Sequence, residues 1–158
     1  MDFNELENYL RGLPDKILDD ASRIVAETAT EYYKERFREK EFDGDKWPDA
    51  KVKKRKGSLL VDSGKLLNSV RPVYIGKDGV ILSAGNWKVD YARVHNEGFT
   101  GNVIVPAHAR HTKKSGDVKV KQHARNVNIP KRQFMGESRE LADKIHDRIQ
   151  EQVNNTLK

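Results

Sequence analysis

Val70-Arg71-Pro72-Val73-Tyr74-Ile75-Gly76-Lys77-Asp78-Gly79-Val80-Ile81-Leu82-Ser83-Ala84 is the stretch whose reading decides the fold. Apolar and polar residues alternate from Val70 to Ile75, apart from Pro72, and an apolar run returns from Val80 to Ala84. Gly76-Lys77-Asp78-Gly79 between them has the composition of a tight turn, so the segment predicts an antiparallel hairpin. Proline has no amide hydrogen for a ladder, which puts Pro72 at an edge or a bulge.

Outward from the hairpin the period changes from two to three and four. Residues from Pro14 to Glu41 predict one long amphipathic helix. Its stripe is Ile17, Leu18, Ala21, Ile24, Val25, Thr28 and Tyr32, continued by Phe37. Pro14 suits a first turn, and Asp15, Asp19 and Asp20 complement the positive end of the helix dipole. Such a helix spans roughly 40 Å, and packing on the C-terminal helix of the same chain is preferred over packing on a neighbouring subunit. A short helix through Phe3, Leu6 and Leu10 precedes it. After it, Phe42-Asp43-Gly44-Asp45-Lys46-Trp47-Pro48 reads as a turn and a stop. Leu59 to Ser69 predicts a short helix with Asp62 or Ser63 as N-cap, and Gly136 to Leu157 a C-terminal helix with the stripe Leu141, Ile145, Ile149, Val153 and Leu157. Asn102–Ala107 and Asp117–Gln122 read as the two arms of a second hairpin, with its tip at Lys113-Lys114-Ser115-Gly116.

Helices at both ends and antiparallel strands between them make an α+β chain. The expected form is one domain over residues 1–158. A long N-terminal helix and a C-terminal helix pack on a small antiparallel sheet that carries a basic β-hairpin excursion. Residues 49–58 and 108–124 are expected as mobile basic loops. The 158 residues suffice for a core, although only 36% are hydrophobic and 34% charged, and mean hydropathy is −0.83. No apolar run reaches the ~20 residues of a membrane span. The acidic start MDFNELENYL lacks the pattern of a secretion signal, so synthesis and use in the cytosol are expected. Without cysteine, disulfides and thiolate metal sites are excluded.

The net charge of +6 is uneven. Lys51–Lys56 carries +5, and Ala107–Arg125 carries a further +5, which leaves −4 for the rest of the chain. Basic patches of this kind attract nucleic acid or an acidic protein surface, and many are simply solvated. His108, His111 and His123 lie inside the second patch; with no cysteine and many nearby cations, they are read against a metal site. No Gly-rich loop cradles phosphate, and no sequence motif sets a nucleophile beside His95, which is read as a structural histidine and not a general base. No cofactor is expected.

Two further segments flank the excursion: Tyr91-Ala92-Arg93-Val94-His95-Asn96-Glu97-Gly98 and Ile129-Pro130-Lys131-Arg132-Gln133-Phe134-Met135-Gly136. The first predicts a short helix closed by Gly98 in the left-handed conformation. Both are read as core-forming turns in preference to docking surface, with Tyr91, Phe134 and Leu141 packed together and Pro130 and the glycines setting backbone angles. With Gly44-x-x-Trp47 and Leu60-x-Asp62-x-Gly64-x-Leu66-x-x-Ser69 before them, they form four motifs in order: Tyr91, His95 and Gly98 mark the third, and Pro130, Arg132, Phe134 and Gly136 the fourth. The succession resembles the phage virion morphogenesis, or tail completion, family over roughly residues 15–155. That resemblance implies a non-catalytic structural protein of tailed phages and prophages, made in the bacterial host cytoplasm and built into the virion. It implies action in tail completion or head–tail joining at the neck, as copies in a ring around the DNA channel, against connector, neck or tail-tube components. The alternative is a stand-alone nucleic-acid-binding protein that is blind to sequence, since no base-reading element is evident. Contacts to partner or DNA are expected at Lys53, Lys54, Arg55, Arg110, Lys113, Lys114, Lys119 and Lys121. Trp47 and Trp87, near turns, are expected as partly exposed anchors.

Overall fold

The computed structural model describes residues 1–50, 57–112 and 116–156. In chain order its elements are α1 (Phe3–Arg11), α2 (Asp15–Glu39), β1 (Glu41–Phe42), β2 (Asp45–Lys46), α3 (Lys65–Ser69), β3 (Arg71–Gly76), β4 (Gly79–Ser83), α4 (Ala92–Glu97), β5 (Phe99–Val105), β6 (His108–Thr112), β7 (Gly116–Val120), β8 (His123–Ile129) and α5 (Arg139–Thr156). The α+β reading holds. Among the described residues all the strand pairs are antiparallel, and they form four two-stranded ladders: β1–β2, β3–β4, β5–β8 and β6–β7.

The deciding hairpin forms as read. Pro72 pairs with Leu82 and Tyr74 with Ile81, so the ladder skips Val73 and the irregularity falls at the proline. Its turn lies beside the N-terminal half of α2. Ser22 Oγ donates to the Gly76 carbonyl at 2.9 Å, and Lys77 Nζ is 3.6 Å from Asp19. Further along α2 the neighbour is α5, where Arg148 donates to Thr28 Oγ1 and to Glu31, both at 2.9 Å.

The buried line of α2 is Ala21, Ala26, Thr28, Ala29, Tyr32, Tyr33 and Phe37. Ile17, Leu18, Ile24 and Val25, expected on the buried stripe, are only half-buried. Small side chains set how closely elements pack, so the alanines sit where α2 meets its neighbours and the larger aliphatics flank that line. Lys40 ends α2 in the left-handed conformation at φ 61°, its amide donating to the Arg36 carbonyl at 2.7 Å. The tight β1–β2 turn follows.

Two helix starts differ from expectation. The helix expected from Leu59 begins at Lys65, behind Gly64 at φ 72°, with no side-chain cap from Asp62 or Ser63. Upstream, Ser58 and Val61 exchange backbone hydrogen bonds of 2.7 and 3.1 Å around a left-handed Leu60, a closed turn that cannot continue into a helix. The last helix begins at Arg139, not Gly136, because Ser138 caps it: its hydroxyl accepts from the Leu141 amide at 3.3 Å and donates to Asp43 at 2.9 Å. Leu141, Ile145 and Ile149 are buried as expected and Val153 partly so; Leu157 lies outside the described residues. α1 is locked by a capping box in which Asp2 and Glu5 bond each other's amides, both at 2.8 Å. Its Leu6 enters the core.

The core gathers around Phe37, with the Phe134 ring 4.9 Å away and the Trp47 ring 5.7 Å away, edge-on at 90°. Aromatic pairs of this geometry add about 0.5–1.5 kcal/mol beyond their buried area. Arg36 is the charged group drawn furthest in, at 2% exposure. It lies over the Tyr32 ring at 4.2 Å and pairs with Glu39 at 2.7 Å and Glu140 at 3.6 Å. The Glu140 carboxyl is held below its ordinary range, first by its hydrogen bond from Lys144 and then by the Lys144 and Arg36 charges.

The excursion is paired differently from the sequence reading. Asn102–Ala107 was expected opposite Asp117–Gln122; instead Asn102 pairs with Asn126 and Val105 with His123, while Asp117 pairs with His111. Symmetry about the tip explains this, since a tip near residue 114 places 105 opposite 123. The ladder extends down to Phe99↔Ile129 and is interrupted on both strands at the same level, at 106–107 and 121–122. Pro106, which lacks an amide hydrogen, sits in that break. Residues 108–112, expected within a mobile loop, are a strand, and the arm expected from Asp117 to Gln122 forms as the strand Gly116–Val120.

Candidate functional site

The two segments that flank the excursion are clasped together at its root. α4 ends at Glu97, with Gly98 alone between it and β5, and Pro130 follows directly on β8. The Arg132 amide donates to the His95 carbonyl at 2.8 Å. Asn96 Oδ1 accepts from the amides of Phe134 (2.9 Å) and Met135 (3.0 Å), and its Nδ2 donates to the Met135 carbonyl at 3.1 Å. One side chain thus completes a ladder-like contact with an irregular strand. Gly98 has φ 79° and ψ 164°, not the left-handed cap expected, and a Cβ there would lie 2.9 Å from the Lys131 nitrogen. Only glycine combines that backbone with that proximity.

The second segment is in turn tied to the core. Arg132, 8% exposed, donates to the carbonyls of Pro48 (2.9 Å) and Asp49 (3.0 Å). Trp47 Nε1 donates to the Gln133 carbonyl at 2.6 Å, Phe134 is fully buried, and the Tyr33 hydroxyl donates to the Gly136 carbonyl at 2.8 Å. Burial pushes the Tyr33 pKa up to about 12. Trp47, expected as a partly exposed anchor, is therefore a core residue: its ring packs on Phe37 and its nitrogen is satisfied inside. Tyr91 departs in the opposite direction. It is 38% exposed, with its ring edge-on to His95 at 5.7 Å, and does not join Phe134 and Leu141 in the core. Asn96, the residue that joins the two segments, is a position of the third ordered motif, Tyr91-Ala92-x-x-His95-Asn96-x-Gly98, but the motif gives no sign of its partners. An Asn two residues before a positive-φ glycine is shared by many helix ends.

Beside the clasp lies an open groove of about 830 Å³, bordered by Asp49, Leu60, Asp62, Tyr91, His95 and Arg132. The excursion carries all three of the described cations expected to make contacts. Arg110 is on β6, Lys119 on β7, and Lys121 in the break, all exposed. Lys53, Lys54, Arg55, Lys113 and Lys114 lie outside the described residues. His111 Nδ1 is 2.9 Å from Asp117, while the His108 and His123 rings hydrogen-bond the carbonyls of Pro106 and Lys121 at 3.0 Å. Among the described residues no group of three or more His, Asp or Glu is placed to hold a metal ion. Trp87 is 85% exposed, held out at the tip of a turn closed by Asn86 and Val89, with Lys88 Nζ 4.5 Å from its ring centre.

Between Phe99 and Lys131 no described residue is buried. The excursion is therefore an arm held at its root by the clasp. From Phe99 to Thr112, at about 3.3 Å per residue, its contour is roughly 45 Å. A profile of the phage virion morphogenesis family matches residues 1–154. The chain belongs to the phage virion morphogenesis family. Its role is accordingly structural, in building a phage particle, and it works in contact with other virion proteins. No curated protein and no solved structure matches the chain. Within this virion morphogenesis protein, three of the four motifs that carried the resemblance, those at Gly44–Trp47, Tyr91–Gly98 and Ile129–Gly136, form the clasp and its ties to the core. No helix among the described residues is long and apolar enough to cross a membrane.

Proposed function

We propose that this chain is a non-catalytic assembly protein that acts in tail completion or head–tail joining, as copies in a ring around the DNA channel. It is read as one domain whose partners are connector, neck or tail-tube components. The observation that carries the reading is the arm, a ribbon with no buried residue among those described, rooted by the clasp onto the core. Exposed ribbons on a fixed base suit reaching and docking, and a locked root limits the ordering entropy paid on contact. The test is electron microscopy of particles from the parent phage with this gene deleted. Filled heads beside detached or aberrant tails are expected. Normal, infectious particles would remove the reading.

A second reading rests on the charge of the arm: Arg110, Lys119, Lys121 and Arg125 contact the phosphates of packaged DNA. Such binding is sequence-blind and weakens steeply between ~50 and 200 mM salt as counterions are released. Filter binding that is indifferent to salt over that range would dismiss it.

A further inference from the structure

We infer that the arm is two stiff ribbons joined by a hinge at residues 106–107 and 121–122, so that its outer half swings as a unit while its inner half stays fixed to the clasp. The register places the joint. The inner ladder ends at Val105↔His123 and the outer ladder begins at His108↔Val120. That is three residues onward on one strand and three back on the other, so no residue is inserted and the break is not a bulge. The pairs that the register calls for between them, 106 with 122 and 107 with 121, are missing from both ladders. Two rungs are therefore absent from a ribbon that otherwise keeps step from Phe99↔Ile129 to Thr112↔Gly116.

Local hydrogen bonds stabilise the break in its open form. On each strand a histidine opens the segment that follows the gap, His108 on β6 and His123 on β8. Each ring donates from Nδ1 to a carbonyl two residues back on its own strand, His108 to Pro106 and His123 to Lys121, both at 3.0 Å. Backbone carbonyls held in this way already have partners, so they do not draw the strands back into pairing. Pro106 has no amide hydrogen to offer. No packed layer braces the joint: Pro106, Ala107, Lys121 and Gln122 are all exposed, and no described residue of the arm is buried. Few apolar contacts and open backbone are the conditions under which local motion concentrates, and a hinge needs only a few residues to absorb the rotation.

The joint divides the groups of the arm. Phe99, Val103 and Arg125 stay with the clasp, while Arg110, Val118 and Lys119 ride on the outer ribbon. From Ala107 to Thr112 the moving lever is roughly 16 Å, and a pivot of about 30° carries its end by about 8 Å. The outer ribbon can then meet a partner over a range of angles without disturbing the core. The hinge goes beyond the assembly reading, since it is a property of the single chain.

The experiment is nuclear magnetic resonance on the full chain, with amide residual dipolar couplings measured in a stretched neutral gel. These couplings average over the orientations that a segment visits, so the helices, the inner ladder and the outer ladder each report whether they move together. The inner ladder is expected to share the alignment of the helices, and the couplings of the outer ladder to be scaled down by about twofold or more. A staple supplies the control. Ala107→Cys with Lys121→Cys sets two thiols opposite each other in a chain with no cysteine of its own. Opposed positions in an antiparallel ribbon lie about 4.5–5.5 Å apart, within disulfide reach. Oxidation is expected to restore the outer couplings to the scale of the inner ladder and reduction to release them, with the amide spectrum of the core unchanged. Equal alignment of both ladders in the unmodified chain would overturn the hinge in favour of one stiff ribbon. Equal scaling-down of both would move the pivot to the clasp and overturn it as well. Outer couplings that stay small under the closed staple would show a ribbon loose in itself, and a staple that does not close would refute the register across the gap. The gene-deletion particles decide the assembly role separately from any of these results.

Discussion

Replacing Asn96 with alanine removes three hydrogen bonds at once from the joint between α4 and the segment at 129–136. Its Oδ1 serves two amides, Phe134 and Met135, and its Nδ2 serves the Met135 carbonyl. A hydrogen bond contributes about 0.5–1.5 kcal/mol net, and a part-buried group left without its partner costs at least as much. The loss should therefore be about 2–4 kcal/mol. In a chain of this size each kcal/mol lowers the melting temperature by about 2–4 °C, so a drop of roughly 4–16 °C is expected. Asn96→Asp keeps an acceptor for both amides and loses only the donor, so it should cost about 1–2 kcal/mol. Urea unfolding followed by tryptophan fluorescence measures both, because Trp47 passes from a buried to a solvated site. Hydrogen exchange at Phe134 and Met135 should quicken first. An alanine variant within about 0.5 kcal/mol of wild type, or one equal to the aspartate variant, would refute the clasp as a source of stability.

Three further outcomes follow from the same joint. Gly98→Ala should cost about 2 kcal/mol or more, since its φ of 79° with ψ of 164° is a glycine conformation and the new methyl would meet the Lys131 nitrogen; a loss under about 0.5 kcal/mol by denaturant melt would show that the backbone there relaxes freely. Trp47→Phe keeps the ring contact with Phe37 but gives up the bond to Gln133, for about 1–2 kcal/mol, whereas Trp47→Ala should cost about 3–5; if both changes are silent, the residue is not core. Tyr33 has a folded pKa of about 12, raised from 10.0 by burial. Its contribution is whole below pH 10 and is lost as pH rises toward 12. Stability measured across pH 10–12 should fall, and Tyr33→Phe should flatten the fall; an unchanged slope in that variant would remove Tyr33 as its cause.

Local chemistry in the sequence determined the helices, the hairpin and the resemblance of four ordered motifs. Apolar period, proline at a bulge and the Gly76–Gly79 turn act between residues a few positions apart, so they can be read without knowing what lies across the molecule. The β5–β8 pairing was half legible: the tip was placed, but where the ladder ended depended on continued pairing down to Phe99↔Ile129. What only the tertiary structure decided involves partners far apart in the chain. Trp47 and Trp87 both stand near turns. One is turned inward because Phe37 and the Gln133 carbonyl await it, while the other is held at the tip of a turn with only the neighbouring Lys88 ammonium over its ring among the described residues. Asn96 became the clasp because residues 134 and 135 return beside it, and Tyr91, so close in sequence, stays half in solvent because its own neighbours are α4 and the groove. Burial and hydrogen-bond partnership belong to where chains meet, and composition along the chain carries no record of that.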